Sequence, residues 1–289
     1  MQICKLADKP KLDSEDIAFS IGPRLNAAGR LGQAQLGVEL LTIDSEERGQ
    51  ALADYIDQLN KSRDSLDRKI LRSANKLIEE HFDPSAEPAL VLAQPDWHLG
   101  VIGIVAGRIA EKYHRPTILI SIDKLSQKPA VGSARTSCGV NLYQAISNCG
   151  ELLVKFGGHR AAAGLSIEPD RIDEFREAFC DQVTQQVAVE NLVPELDIDA
   201  EAPLSQLTLE TVNDLEKLAP FGQENPRPVL CATQVRLAAE PKTMGADNRH
   251  LALQLEQHRV RIRAVGFGKS DWIESLTNGT EYFDFAFKP

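Results

Sequence analysis

From Asp44 to His81 the chain runs without a proline, and its apolar residues fall on one helical seam. Leu52, Leu59 and Leu66 recur every seven residues, and Ile56, Ile70 and Leu77 form the neighbouring row, interrupted by Arg63. That spacing predicts one helix over 45–81. Asp44 is read as its N-cap, with Glu47 three residues on as in a capping box, and PSAEP at 84–88 marks the end. At 1.5 Å per residue the helix is about 55 Å long. A small domain does not need that length, so the helix is expected to bridge two bodies, its leucines serving as core or interface.

The chain changes character on either side of this helix. Residues 1–43 read as the tail of something larger, a polar lead-in followed by IGPRLNAAGRLGQ at 21–33. From 89 the pattern alternates: strands at 89–93, 117–122, 129–134 and 162–167, and helices at 97–113, 140–148 and 171–187. Such alternation predicts an α/β unit, a mixed sheet covered by helices. Past about 190 come a strand at 195–204, a helix at 208–220 and four further strand-like runs, CATQVRLAA, HLALQLEQ, RVRIRAVGFG and EYFDFAF. This predicts a small β domain of the open OB-barrel type. It stops directly after a strand, so it is expected to be truncated. The expected segments are 1–43, 44–88, 89–190 and 191–289.

A length of 289 residues suits about two domains. No apolar run approaches the roughly 18 residues of a membrane span, and the N-terminus has no apolar signal-peptide region. Five scattered cysteines without a CxxC pair imply reduced thiols in a cytoplasmic protein. The six histidines form no ligand-spaced cluster.

Net charge is −10, which argues against indiscriminate binding to nucleic acid, but the charge is unevenly spread. Residues 97–165 hold 8 basic and 3 acidic residues, while 166–225 hold 3 and 15. An acidic remainder with one basic block favours a localised anion site.

That block contains two glycine-bearing stretches. In FGGHRAAAG (156–164), Gly157 and Gly158 free the backbone for close approach to a ligand, and His159 adds a donor. In VGSARTS (131–137), Ser133 offers a hydroxyl and Arg135 a planar fork suited to phosphate. Either stretch alone fits a tight turn feeding a packed strand. Together they are read as two loops that face each other and grip a phosphate. Arg24, Asn26 and Arg30 in the earlier segment fit phosphate or sugar contacts, or equally a helix–turn element with solvated arginines.

With GPRLNAAGR, WHLGVIGIVAGRIAEKYHRP, GSAR, LLVKFGGHRAAAGLSI and PFGQENPRPV in that order, the chain resembles the RecJ family of 5′→3′ single-stranded DNA exonucleases, within the DHH phosphoesterases. The resemblance implies a DHH-associated domain over 89–188 and an OB-type domain from about 193. It implies that Ser133 and Arg135 bind a 5′-terminal phosphate and that Gly157, Gly158 and His159 line the same groove. Arg24, Asn26 and Arg30 would contact the strand near the junction with a catalytic domain. Trp97 and His98 are read as structural, at the start of a glycine-bearing helix.

The family's catalytic domain holds two Mn²⁺ or Mg²⁺ ions, yet no Asp-His-His occurs here, and Asp197 and Asp199 read as solvated. No catalytic residue and no metal ligand is therefore assigned to this chain, and its implied partners are single-stranded DNA and a catalytic DHH domain in cis or in trans. Ala134 stands where the family usually has glycine and is expected to crowd that loop slightly, and Glu224 stands in a turn position often held by glycine. The alternatives are a non-catalytic nucleic-acid-binding or assembly module, and a DHH-type oligonucleotide phosphodiesterase, a class that usually lacks the OB tail.

Overall fold

The computed structural model describes residue 9 and residues 11–125, 128–245 and 247–289; Cys4 lies outside them. The chain forms two compact units, one built on residues 16–195 and the other on 196–289 with the short strip 13–15.

The first unit opens with a π-helical turn, Asp16–Ile21, that runs into α1 (Gly22–Arg30). Two further helices follow, α2 (Ala34–Thr42) and α3 (Glu46–His81). The long helix starts one residue later than the capping-box reading places it. Ser45 is the N-cap, its Oγ accepting from the Arg48 N–H at 3.4 Å, and Asp44 stays outside.

The seam of α3 divides between two cores. Ile56 and Leu59 close with Ala28, Leu31, Leu36 and Leu40 on a small helical core. Ile70, Ala74 and Ile78 pack with Val101, Ile102, Val105 and Ile109, and with the strand residues Leu90, Leu92 and Leu119. The helix therefore bridges two cores within one unit. Between them sits Asp67, a carboxylate with no exposed surface, held by Arg63 Nη1 at 3.3 Å and Arg108 Nη1 at 3.2 Å.

The α/β part follows as β1 (Leu90–Pro95), α4 (Leu99–Tyr113), β2 (Thr117–Ile122), β3 (Ala130–Arg135) and α5 (Leu142–Asn148). It ends with β4 (Lys155–Gly158), β5 (Ala162–Ile167) and α6 (Ile172–Gln186). The strand order is β1-β2-β3-β5-β4. Only β1 and β2 run parallel, and α4 makes the crossover that a parallel pair requires. Helices α3 and α4 cover one sheet face over β1–β3. The other face carries α5 and α6 on a core that includes Ile118, Ile120, Leu165, Phe175 and Phe179. Two expectations need correction here. Gly157 and Gly158 belong to the edge strand β4 rather than to a turn. Ala134 does not crowd a ligand loop, because its side chain is fully buried in the α5–α6 core.

Arg115, 6% exposed, ties the end of this unit down. Its guanidinium donates to the backbone oxygens of Glu87, His114 and Leu192 at 2.7, 2.9 and 2.7 Å. The thiols of Cys138, Cys149, Cys180 and Cys231 are free. Burial pushes those of Cys149 and Cys180 up to about 11, which makes them poor nucleophiles at neutral pH.

The second unit comprises β6 (Ala200–Glu201), α7 (Leu209–Glu216), β7 (Leu230–Leu237), β8 (Lys242–Met244), β9 (His250–Gln257), β10 (Val260–Gly266), α8 (Trp272–Asn278) and β11 (Phe283–Phe287). The sheet runs β10-β9-β7-β11, with β6 parallel to β7 and β8 beside β9. Alternate residues Leu251, Leu253 and Leu255 of β9 join Ala232, Val235 and Leu204 in its core. The strand expected at 195–204 contracts to two residues, while β8 and α8 are too short to leave a period in the sequence. Among the described residues no helix is long and apolar enough to cross a membrane.

Replacing Asp67 by Ala leaves Arg63 and Arg108 without their buried counter-charge. The expected loss is about 3 kcal/mol of stability in the first unit. Urea unfolding followed by Trp97 fluorescence in a Trp272→Phe background measures it; a loss below about 0.5 kcal/mol, the usual effect of a neutral surface change, would contradict the role given to Asp67.

Candidate nucleic-acid interface

Helix α4 begins at an N-cap made by His98, whose Nδ1 accepts from the Gly100 N–H at 3.1 Å. Trp97, 5% exposed, anchors the preceding residue in the α3–α4 core. The helix then presents Gly100 and Gly103 to its neighbours. A Cβ on Gly100 would lie 2.0 Å from the Arg30 carbonyl oxygen, so only glycine lets the end of α1 sit against α4. A Cβ on Gly103 would lie 2.7 Å from Arg135 Nη2 and 2.9 Å from Ser133 Oγ. Both polar side chains of β3 therefore lean into the volume that the glycine leaves.

These three elements enclose an open cleft of about 360 Å³ lined by Asn26, Gly29, Arg30, Leu99, Gly100, Gly103, Ser133 and Arg135. Arg135 Nη1 donates to Ser133 Oγ at 3.0 Å and to the Ala134 carbonyl at 2.7 Å. Arg30 Nη1 reaches the Gly100 carbonyl at 3.4 Å. Among the described residues neither guanidinium has a carboxylate within ion-pair distance. Burial, and then the charge of Arg30, lower the Arg135 pKa, and the group nevertheless remains a cation at neutral pH. A desolvated cation beside a second cation, with neutral oxygens as its partners, is an arrangement that an incoming anion relieves.

Of the residues proposed from sequence, Asn26, Arg30, Ser133 and Arg135 line this cleft. Arg24 does not: its Nε donates to Asp57 Oδ1 at 2.8 Å and its Nη1 to the Ser20 carbonyl at 2.7 Å. Hydrogen bonding from Lys61, with that of Arg24, holds the Asp57 carboxyl below the usual carboxylate range.

The glycine stretch sits two strands away. Ser133 is opposite Gly164, and Gly164 is opposite Gly157. Arg135 is opposite Ala162, whose carbonyl accepts the His159 N–H at 2.8 Å. Residues directly opposite in antiparallel strands share a face, so Ser133, Gly164 and Gly157 form one row and Arg135 and Ala162 the next, with His159 just past the end of β4. The two stretches do not face each other as loops; they lie side by side on one sheet face, roughly 10 Å apart by the strand spacing. Gly158, in register with Ala163, belongs to the other face. Gly164 and Gly157 are exposed, so the face that α4 covers over β3 continues as a low, open floor. Gly100 and Gly103 were not among the residues singled out from sequence; their signal was two glycines three residues apart in an otherwise apolar helix, Gly100 facing the end of α1 and Gly103 facing β3.

Among the described residues no group of three or more His, Cys, Asp or Glu side chains converges as a metal site. Asp199 is exposed, its Oδ2 accepting from the Val229 N–H at 2.8 Å. The donor set here does not fit a two-metal centre, and no hydrolytic step is derived from these residues.

The fold and the cleft together define a DHH-associated domain joined to an OB-type domain. Residues 86–185 match the DHHA1 domain family, and residues 198–289 match the RecJ OB domain family. Over nearly all of its length the chain is similar to RecJ proteins. It is 31% identical over 94% of its length to the single-stranded-DNA-specific exonuclease RecJ of Bacillus subtilis, of which it spans 34%. It is 34% identical over 86% of its length to the corresponding protein of Escherichia coli, of which it spans 43%. The crystal structure of RecJ from Thermus thermophilus in complex with Mg²⁺ superimposes with a TM-score of 0.76 at 28% identity, covering 92% of this chain and 40% of that one. The chain thus spans less than half the length of these relatives.

Gly103→Ala separates fold from site. Alanine is favoured over glycine in a helix interior by about 1 kcal/mol, and the atoms it meets are the ends of side chains able to swing away. The expected outcome is an unchanged or higher melting temperature, with about tenfold weaker binding of a 5′-phosphorylated oligonucleotide, as fits losing one charged hydrogen-bonding partner. Undiminished binding would show that Arg135 need not be where Gly103 holds it.

Proposed function

We propose that this chain is the DNA-end-binding portion of a RecJ-type 5′→3′ single-stranded DNA exonuclease acting in DNA repair and recombination. In this reading the cleft between α1, α4 and β3 takes the terminal 5′-phosphate. Arg135 and Arg30 supply charge, and Ser133 supplies a hydroxyl donor. Asn26 is placed to contact the terminal sugar or phosphate. The strand then leaves over the floor made by Gly164 and Gly157, where the absence of side chains lets a sugar or base lie against the backbone, with His159 at its far side. Arg24 orders the helical segment through Asp57 and serves the strand only indirectly. Hydrolysis belongs to a catalytic DHH domain, in cis or in trans, that carries Mn²⁺ or Mg²⁺. The OB-type unit adds single-strand affinity.

The observation that carries this reading is the half-buried Arg135 next to Arg30, with no carboxylate near either among the described residues, in a chain whose net charge is −10. The match to the RecJ OB domain supports a RecJ-type substrate over that of a short-oligonucleotide phosphodiesterase.

The test is equilibrium binding of the 289-residue chain to oligothymidylates with a 5′-phosphate or a 5′-hydroxyl, over a salt series. The phosphorylated strand should bind at least about tenfold tighter, with affinity falling steeply as salt rises. Arg135→Ala should abolish most of that preference, a loss of about 1.5–3 kcal/mol for a hydrogen bond to a charged group. Equal preference in the variant and the parent would overturn the assignment.

A further inference from the structure

One residue outside the cleft sets the geometry inside it. His98 does not line the cleft, but its imidazole and its carbonyl together organise the first turn of α4. The carbonyl accepts from Val101 and Ile102 N–H at 2.9 and 3.1 Å, and Nδ1 accepts from Gly100 N–H at 3.1 Å. Gly100 is where Arg30 is seated. The Arg30 carbonyl fills the space beside its Cα, and the Arg30 guanidinium reaches its carbonyl. One imidazole thus fixes Gly100, on which α1 docks and to whose carbonyl a cleft cation donates.

The usual residues at such a position are Ser, Thr, Asp and Asn, whose oxygens accept at any ordinary pH. A histidine accepts only through an unprotonated nitrogen. This cap therefore exists with the neutral ring and is lost with the imidazolium. The charged groups around His98 are Lys69 of α3, Arg30 of α1, and Asp96 of the preceding turn, itself paired with Lys124.

We propose that His98 is a positioning residue of the phosphate cleft: its neutral imidazole holds Gly100, and through it Arg30, where a terminal phosphate is gripped. The proposal rests on the phosphate-cleft reading above.

The experiment compares the parent chain with His98→Ala and His98→Asn, using 5′-phosphorylated and 5′-hydroxyl oligothymidylates, from about pH 8 down to about pH 5.5, the range in which histidine changes charge. His98→Ala should weaken the phosphorylated strand about fivefold, the worth of a lost N-cap, and change the hydroxyl strand less than about twofold by the same scale. His98→Asn should restore binding through an oxygen that does not titrate. The parent should lose affinity on acidification more steeply than His98→Asn, since the second ionisation of the phosphate, near about pH 6, is common to both.

The proposal is overturned if His98→Ala binds the phosphorylated strand like the parent, if it weakens both strands equally, or if parent and His98→Asn share one pH profile. Should His98→Ala not fold, the comparison of parent with His98→Asn decides alone. Arg135→Ala in parallel separates the two failures. Loss of phosphate preference in that variant, with none in His98→Ala, removes the role of His98 and leaves the cleft. Retention of preference in Arg135→Ala removes the cleft itself.

Discussion

An arginine that is half out of water, faces another arginine and meets no carboxylate among the described residues is costly in isolation. Everything around Arg135 serves to keep it there. Its partners are the Ser133 hydroxyl and the carbonyl of Ala134, which satisfy hydrogen bonds without neutralising charge. Its guanidinium is accommodated by Gly103, where any side chain would stand in its way. Structural arginines elsewhere in the chain are treated differently. Arg63 and Arg108 share the buried Asp67, and Arg24 has Asp57. Arg115 is buried among carbonyls, and it closes off a chain segment rather than a cleft. The unopposed pair at Arg30 and Arg135 thus stands apart from these arginines of the same fold.

The cleft needs three elements that are distant in sequence, and α3 brings them together. Its N-terminal half carries α1 on the Ile56–Leu59 core, and its C-terminal half carries α4 on the Ile70–Ile78 core. Because one rigid helix serves both cores, the end of α1 is delivered to Gly100 of α4. Gly103 of α4 in turn meets β3, whose antiparallel register with β5 and β4 sets the row from Ser133 to Gly157. The length of α3 thus has a positional consequence: it fixes Arg30 relative to Arg135.

Much of this was legible in the residues. The seam of α3, the strands at 117–122, 162–167 and 250–257, and the α/β-then-β order all follow from periodicity. Ser133 and Arg135 are legible as phosphate-type side chains by their chemistry, but the sequence reads them as part of a loop. Their shared face comes from their places on β3, since residues two apart on a strand share a face. The rest depends on contacts between distant segments. Arg24 and Arg30 are chemically alike within one short motif, and only the position of Asp57 separates the paired arginine from the unpaired one. Gly157 and Gly158 look like a turn because two glycines usually are one; β5 recruits them into an edge strand instead. His98 and Gly103 are ordinary residues of a helix start until the neighbours of α4 are known.

The central claim is that the cleft between α1, α4 and β3 holds a terminal phosphate. A crystal structure of the chain with a 5′-phosphorylated oligothymidylate tests it most directly. The phosphate oxygens should lie within hydrogen-bonding distance, about 2.7–3.2 Å, of the Arg135 guanidinium and Ser133 Oγ, with Arg30 alongside. Density for the 5′-phosphate at any other surface, with Arg135 still hydrogen-bonded only to Ser133 and Ala134, would contradict it.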